Sequence, residues 1–232
     1  MSHAVWVDIE RRARVARSIG KSRIDLLDTL LELEFGSEDP FFLQVGANDG
    51  MKDDQLSRYV REKRWRGILV EPQPDVFERL KANYSGHSQL IFENVAIGEG
   101  KKSLKLYRLA APEEVIHRVD GVTTSDRNRL EAARTKFGWN YPIEELRVPM
   151  VTITDLLKRH RVKDMGLLVI DTEGMDYEVL CSLDFNVYRP CIIQFEHIHL
   201  SEERLTSTLS LLRENGYLFG LAGRDVVALR RP

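Results

Sequence analysis

From Phe41 onward the chain alternates short apolar runs with amphipathic stretches, and the runs stop at Gly, Pro or an acid. FFLQV at 41–45, ILVE at 68–71 and QLIFENVAI at 89–97 have the length and content of buried strands. Between them Leu56, Tyr59 and Val60 share one helical face. Pro74 then opens a second helix as its first residue, with Val76, Phe77, Leu80 and Tyr84 facing inward. Strand, helix, strand, helix, strand with short connections specifies a parallel sheet with right-handed crossovers. Ligands of such sheets gather at the carboxyl ends of the strands, so those ends are the places to look for a site.

The same alternation resumes near the C-terminus. Thr154 is expected to cap a helix carrying Leu156 and Leu157, and GLLVIDTEG forms a fourth strand ending in two carboxylates. A helix around YEVLCSL leads to CIIQFEHIH, a fifth strand. Ser201 with Glu202 and Glu203 starts another helix, which Asn215 and Gly216 end. YLFG and VVAL are joined by LAGRD, a connection of hairpin length, so these last strands are antiparallel. SLKLYRL reads as a strand, whereas 108–148 shows little strand pattern and many polar groups. That segment is expected to be an irregular, partly helical insertion serving as a lid or substrate-recognition element. An N-terminal helical arm, residues 1–38, precedes the main domain at 39–232, and SEDP at 37–40 breaks the arm's helix.

Composition limits the partners. The 34 basic and 36 acidic side chains leave no general field for nucleic acid, and the basic set Arg11, Arg12, Arg14, Arg17, Lys21 and Arg23 reads as a solvated helix face. The longest apolar runs fall far short of the roughly 20 residues that span a bilayer. With only Cys181 and Cys191 there is no disulfide framework. These features give an expectation of a cytoplasmic protein without nucleic-acid or membrane partners, and no pattern in the chain sets an oligomeric state.

The first turn, Gly46-Ala47-Asn48-Asp49-Gly50, departs from the G-x-G-x-x-G of dinucleotide sites, and Asp49 would repel a pyrophosphate. S-adenosylmethionine instead carries a sulfonium and an amino-acid end with both charges. For that ligand the glycines let the backbone approach and a carboxylate is favourable. Glu71, at the end of the second strand, can accept both ribose hydroxyls. Asn94, Val95 and Ala96, at the third, lie where an adenine edge would fall. The terminal antiparallel hairpin also favours a nucleoside-dependent methyltransferase sheet over a dinucleotide fold that is parallel throughout its binding half.

Several segments together resemble the FkbM family of S-adenosylmethionine-dependent O-methyltransferases. They are QVGANDG at 44–50, VEPQP at 70–74, NVAIGEGKKSLKLY at 94–107, VTITDLL at 151–157, LLVIDTEGMDYEVL at 167–180 and IIQFEH at 192–197. The resemblance implies a class I methyltransferase fold: an α/β, Rossmann-like sheet, mostly parallel, closed by the C-terminal antiparallel hairpin, with helices on both faces. It also implies S-adenosylmethionine as donor and a hydroxyl acceptor on a sugar or other small natural product. Gln44 stands where many family members carry Asp, so the pocket for the donor's amino-acid end is expected to be arranged differently.

Methyl transfer discharges a cation by in-line displacement, so positioning and removal of the acceptor's proton matter most. Asp171 and Glu173, two apart at the fourth strand end, point the same way on an extended chain. His197 is the first-ranked proton acceptor because imidazole titrates near pH ~6.5, with Glu196 and His199 behind it. The expected catalytic set is His197, Asp171 and Glu173, and the expected donor-binding set is Gly46, Asn48, Asp49, Gly50, Glu71, Asn94, Val95, Ala96 and Asp171. A divalent metal is compatible with Asp171, Glu173 and His197 but not required by their spacing, and no metal ligand set is assigned. Two rivals are an NAD-dependent oxidoreductase and a non-catalytic nucleoside-binding module.

Overall fold

The computed structural model describes residues 25–231 apart from 52, 53, 55, 100, 101, 117 and 118. The expected helix over 5–24, with its basic residues, lies outside the described residues. The arm's remaining part is α1 (Leu26–Glu34), started by the Asp25 carboxylate, which accepts from Asp28 N at 3.2 Å. Then come β1 (Phe42–Val45), α2 (Ser57–Glu62), β2 (Gly67–Val70), α3 (Pro74–Asn83), β3 (Leu90–Glu93) and β4 (Ala96–Ile97). A long excursion follows through β5 (Ser103–Leu109), α4 (Glu113–Ile116), α5 (Arg127–Phe137) and β6 (Ile143–Val151). The chain returns through α6 (Ile153–Arg159), β7 (Leu167–Ile170), α7 (Asp176–Cys181), β8 (Ile192–Glu196), α8 (Glu202–Glu214), β9 (Tyr217–Ala222) and β10 (Asp225–Arg230).

The main sheet has seven strands in the order β3-β2-β1-β7-β8-β10-β9. All pairings are parallel except those of β10, which runs antiparallel to both β8 and β9. Every residue of β1, β2, β7 and β8 is buried, as expected of parallel strands covered on both faces. Leu43, Val45, Ile68, Ile170 and Phe195 pack on one face against Ile153, Leu157, Val179 and Leu212 of α6, α7 and α8. Phe42, Leu69, Leu167 and Val169 pack on the other against Leu27, Leu30, Tyr59, Val60 and Leu80 of α1, α2 and α3. From β1 the chain winds outward to β2 and β3, then returns on the other side of β1 as β7. The strand order therefore reverses between β1 and β7, and a crevice opens at their carboxyl ends.

Three local expectations are corrected. QLIFENVAI is not one strand: Asn94 Nδ2 donates to Glu71 O at 2.8 Å, the chain leaves the main sheet, and Ala96–Ile97 pairs in parallel with Met150–Val151 of β6. The insertion is less irregular than its composition suggests, because β6 pairs antiparallel with β5 along its length from Ser103↔Pro149 to Leu109↔Ile143. Leu104, Leu106, Leu146, Val148 and Met150 pack on the inner side of that ribbon, and Glu145 and Arg147 point to solvent. Only a narrow apolar stripe was available to mark the strand. The cap of α6 is Thr152, whose hydroxyl accepts from Asp155 N at 2.9 Å; Thr154 donates to Ser182 O at 3.0 Å and ties α6 to the end of α7. Among the described residues no helix is long and apolar enough to cross a membrane.

Candidate functional site

The turn after β1 is shaped by its neighbours. Gly46 has φ +82°, and a Cβ there would lie 1.8 Å from the Asp171 carbonyl oxygen. Its N–H and that of Ala47 both reach Val70 O at 3.0 Å, so β1, β2 and β7 converge on this glycine. Asn48 also takes positive φ, 48°, which aims its N–H at Glu71 Oε2, 3.1 Å away. The other Glu71 oxygen accepts from Gln73 N at 2.9 Å and from Gln73 Nε2 at 3.3 Å. Three N–H donors thus hold this buried carboxylate in the wall of a cavity of about 1430 Å³ at the carboxyl ends of the strands.

Gly46, Asn48, Glu71, Val95, Ala96, Asp171 and Glu173 line that cavity as expected. Asp49 does not. Its carboxylate turns back to accept from Met51 N at 2.9 Å, and its carbonyl accepts from Asn83 Nδ2, so the negative charge at this wall comes from Glu71 rather than from the turn. Gly50 is required by packing instead of ligand approach, since its Cβ would meet the Tyr84 ring at 2.3 Å. Asn94 spends its side-chain amide on the Glu71 carbonyl and likewise lies outside the lining.

His197 is the main departure. Its ring Nε2 sits 3.3 Å from Gly223 O and its backbone N–H bonds Arg224 O, both in the β9–β10 hairpin, and it does not line the cavity. The residue two positions on, His199, does. The strand ends at Glu196 and the turn that follows rotates His199, not His197, toward the site. Replacing His197 with Ala should therefore leave turnover unchanged in a steady-state assay; a tenfold loss would return the residue to the site.

The acids at the ends of β7 and β8 hold one another away from their ordinary titration range. Asp176, fully buried at the start of α7, accepts from Thr172 Oγ1 at 3.0 Å and from Glu196 N at 3.2 Å, locking the two strand ends together. Burial pushes its pKa up to about 8, with Asp171 and Glu196 adding to the rise against the Thr172 bond. Glu196, also buried, is raised to about 7 by desolvation and by Asp171 and Glu173. Its Oε1 pairs with Arg224 at 2.8 Å, while Oε2 has no hydrogen-bond partner. Glu173 takes φ +54° and is raised by burial against the pull of Arg129, which contacts both its carboxylate and its carbonyl; Thr124 Oγ1 donates to that carbonyl as well.

Asp171 is ringed by protein and raised by that desolvation and by Asp225, with Arg224 and Arg129 opposing, yet its side chain is exposed to the open cleft. Water in the cleft screens it, so the rise is smaller than enclosure alone implies. His199 Nε2 stands 3.3 Å from Glu173 Oε2 and 3.2 Å from Glu196 Oε2, and burial and the two arginines lower its pKa to about 4.

Two further polar atoms face this environment without partners: Gln44 Oε1 and Gln194 Oε1, both buried, on residues flanking Val169 in one row across β1, β7 and β8. The far wall comes from the excursion: Leu104 and Leu106 of β5, Leu130, Ala133 and Phe137 of α5, and Trp139, whose ring stacks on Phe137 at 4.8 Å. Arg129 and Arg224 carried no signal in the sequence, because one lies in an unpatterned segment and the other at a hairpin tip. His199 was visible only as part of EHIH, where nothing but the strand's end point decides which histidine turns inward.

The match to the methyltransferase FkbM domain runs over residues 44–219. A crystal structure of a methyltransferase FkbM from Methylobacillus flagellatus KT superposes with a TM-score of 0.51 at 13% identity, covering 82% of this chain and 43% of that one. The chain thus spans less than half the length of that protein. A precorrin-6y C5,15-methyltransferase from Geobacter metallireducens GS-15 gives a TM-score of 0.43 at 12% identity, covering 83% and 80% of the two chains. An RNA methyltransferase from Salinibacter ruber in complex with S-adenosyl-L-homocysteine gives 0.42 at 11%, covering 89% and 92%. No curated protein matches the chain. With the match running from Gln44 in the cavity wall to Phe219 in β9, the chain belongs to the FkbM methyltransferase family.

Proposed function

We propose that the chain is an S-adenosylmethionine-dependent O-methyltransferase acting on a hydroxyl of a small acceptor, a sugar or another natural product. The observation that carries this reading is the charge of the cavity. Asp54, Glu71, Asp171, Glu173, Glu196 and Asp225 line it, against Arg129, Lys136 and Arg224. A cationic ligand gains from that wall, and a diphosphate would be repelled by it.

The residues present fit the donor. Glu71, held by its three N–H partners, is a preset acceptor for the ribose hydroxyls at the end of β2, and Val95 and Ala96 offer apolar surface beside it. The unpartnered Gln44 Oε1 is a neutral acceptor where many relatives have Asp, suited to the ammonium of the donor's amino-acid end. Gly46, with no Cβ, lets the ligand approach the backbone where β1 and β7 meet. S-adenosylmethionine, when bound, supplies an electrophilic methyl group on its sulfonium.

The 108–148 excursion makes the acceptor side. Phe137 and Trp139 give an aromatic wall on which the face of a sugar or a ring can stack, and Leu104, Leu106 and Leu130 continue it as apolar surface. Asp171 is the proton acceptor for the hydroxyl. It is exposed to the cleft, whereas Glu173 and Glu196 are engaged by Arg129 and Arg224 and His199 is half-buried between them.

Calorimetric titration with S-adenosylmethionine, S-adenosylhomocysteine and NAD tests the donor. Saturable binding of both adenosyl compounds and none of NAD is expected, and Glu71→Gln should weaken both by about 10-fold or more, the loss of a charge-assisted bond to each hydroxyl. Binding of NAD alone would replace this reading with an oxidoreductase. Donor binding without methyl transfer to any hydroxylated extract would replace it with a binding module.

A further inference from the structure

The proton-transfer scheme uses Asp171 and leaves a second polar cluster in the same cavity unexplained. Glu173, Glu196 and His199 each offer one ligand atom, and the three atoms lie within 4.8 Å of one another, the one such group among the described residues. We propose that these three atoms form a binding site for a divalent transition-metal ion of the zinc or manganese kind.

The argument begins with what is missing around Glu196. The residue is 6% exposed, and its Oε2 has no aligned donor even though the imidazole nitrogen is 3.2 Å away. A buried carboxylate oxygen without a partner is destabilising, and such an atom aimed into a cavity points to a ligand that completes it. The His199 nitrogen meets the Glu173 oxygen at 3.3 Å, so one imidazole atom is flanked by two carboxylate oxygens. Only a cation or a shared proton reconciles three electron-rich atoms at that spacing.

The two arginines do not fill the position. Arg224 pairs with the other oxygen of Glu196, at 2.8 Å. Arg129 does contact Glu173 Oε2, but its second nitrogen is anchored on the Glu173 carbonyl, so it keeps a hold when an ion takes the carboxylate. The fold has also prepared the ligands before any ion arrives. Glu196 N is tied to Asp176, and Glu173 is held in a left-handed conformation by bonds to its carbonyl from Arg129 and Thr124. Each bond sets one ligand's backbone, which is how protein sites impose geometry on an ion.

Two carboxylates and one imidazole select among ions. Imidazole suits zinc, iron and copper, carboxylates suit manganese and magnesium, and the mixture favours Zn²⁺ or Mn²⁺ over an all-oxygen ion such as Ca²⁺. Three protein ligands leave room for water or for an acceptor oxygen, the pattern of catalytic rather than structural metal sites. Ion binding is independent of the methyl-transfer reading, and either can fail without the other.

The test uses the full chain, stripped with a chelator and titrated calorimetrically with MnCl₂, ZnCl₂ and CaCl₂. One equivalent of Mn²⁺ or Zn²⁺ should bind, with Ca²⁺ weaker. Glu196→Gln and His199→Asn should each weaken binding by at least about 10-fold while far-UV circular dichroism stays that of the parent. Glu173→Gln, at the more accessible ligand, gives the same reading if either of the others fails to fold. No saturable binding by the parent chain, or affinity in all folded variants equal to the parent's, overturns the site.

Discussion

Gly46→Ala is expected to lower the unfolding free energy by about 3 kcal/mol or more and to abolish binding of S-adenosylhomocysteine, read from urea denaturation and calorimetry. Two costs add. At φ +82° an L-residue is strained by about 1–2 kcal/mol, and the new Cβ falls 1.8 Å from a backbone oxygen that no rotamer change can move. That oxygen belongs to Asp171, whose N–H bonds Val45 O at 2.9 Å and closes the β1–β7 pairing. To admit the methyl group the two strand ends must separate, and the cavity wall that both build moves with them. Gly138→Ala separates the two contributions: this position has φ +67° but nothing within 4 Å of an added Cβ, so it should cost only about 1 kcal/mol and leave binding intact. Equal losses in the two variants would mean that the close approach of β1 to β7 contributes nothing.

The same glycine shows how far the sequence could be read. The β–α alternation, Pro74 at a helix start, the Ser201 cap and the terminal antiparallel hairpin are local signals, written in a few adjacent residues, and each stands in the structure as expected. Gly46, Asn48 and Glu71 line the cavity for a similar local reason, since a strand that stops at Gly or at an acid puts those residues at the sheet's carboxyl edge. What failed depended on distant partners. β6 carries little local signal because its pairing with β5 spans the whole excursion, and Glu144 falls on the side that Leu146, Val148 and Met150 make apolar. Asp49 is the exception, a local one: charge alone points it at the ligand, and the Met51 N–H two residues along takes its carboxylate instead. Intrinsic basicity ranks His197 over the carboxylates but cannot separate it from His199; which imidazole faces the cavity is set by where β8 stops and by the hairpin that binds the His197 ring. Intrinsic basicity was misleading as well: burial and Arg129 and Arg224 bring the inward-facing His199 down to about 4.

Asp171→Asn is the second large effect: turnover of the proposed methyltransferase should fall by about 10²–10⁴-fold while the affinity for S-adenosylmethionine changes by only a few-fold. In the proposed reaction, as the acceptor oxygen forms its bond to the methyl carbon and the carbon–sulfur bond breaks, the hydroxyl proton must leave, and Asp171 is the group proposed to receive it. The asparagine keeps the shape and a carbonyl acceptor that orients the hydroxyl but cannot take the proton, so the loss falls on kcat rather than on binding. Asp171 is suited to this because its N–H is fixed to Val45 O and its backbone meets Gly46, while its side chain stays open to the cleft. Glu173 and Glu196 stand close by, so their part is separable by measurement: with Arg129 and Arg224 engaged they cannot replace Asp171, and the residual rate should not recover at higher pH. A kcat within threefold of the parent's would move the base to one of those two residues, and a loss confined to donor affinity would make Asp171 a binding group alone.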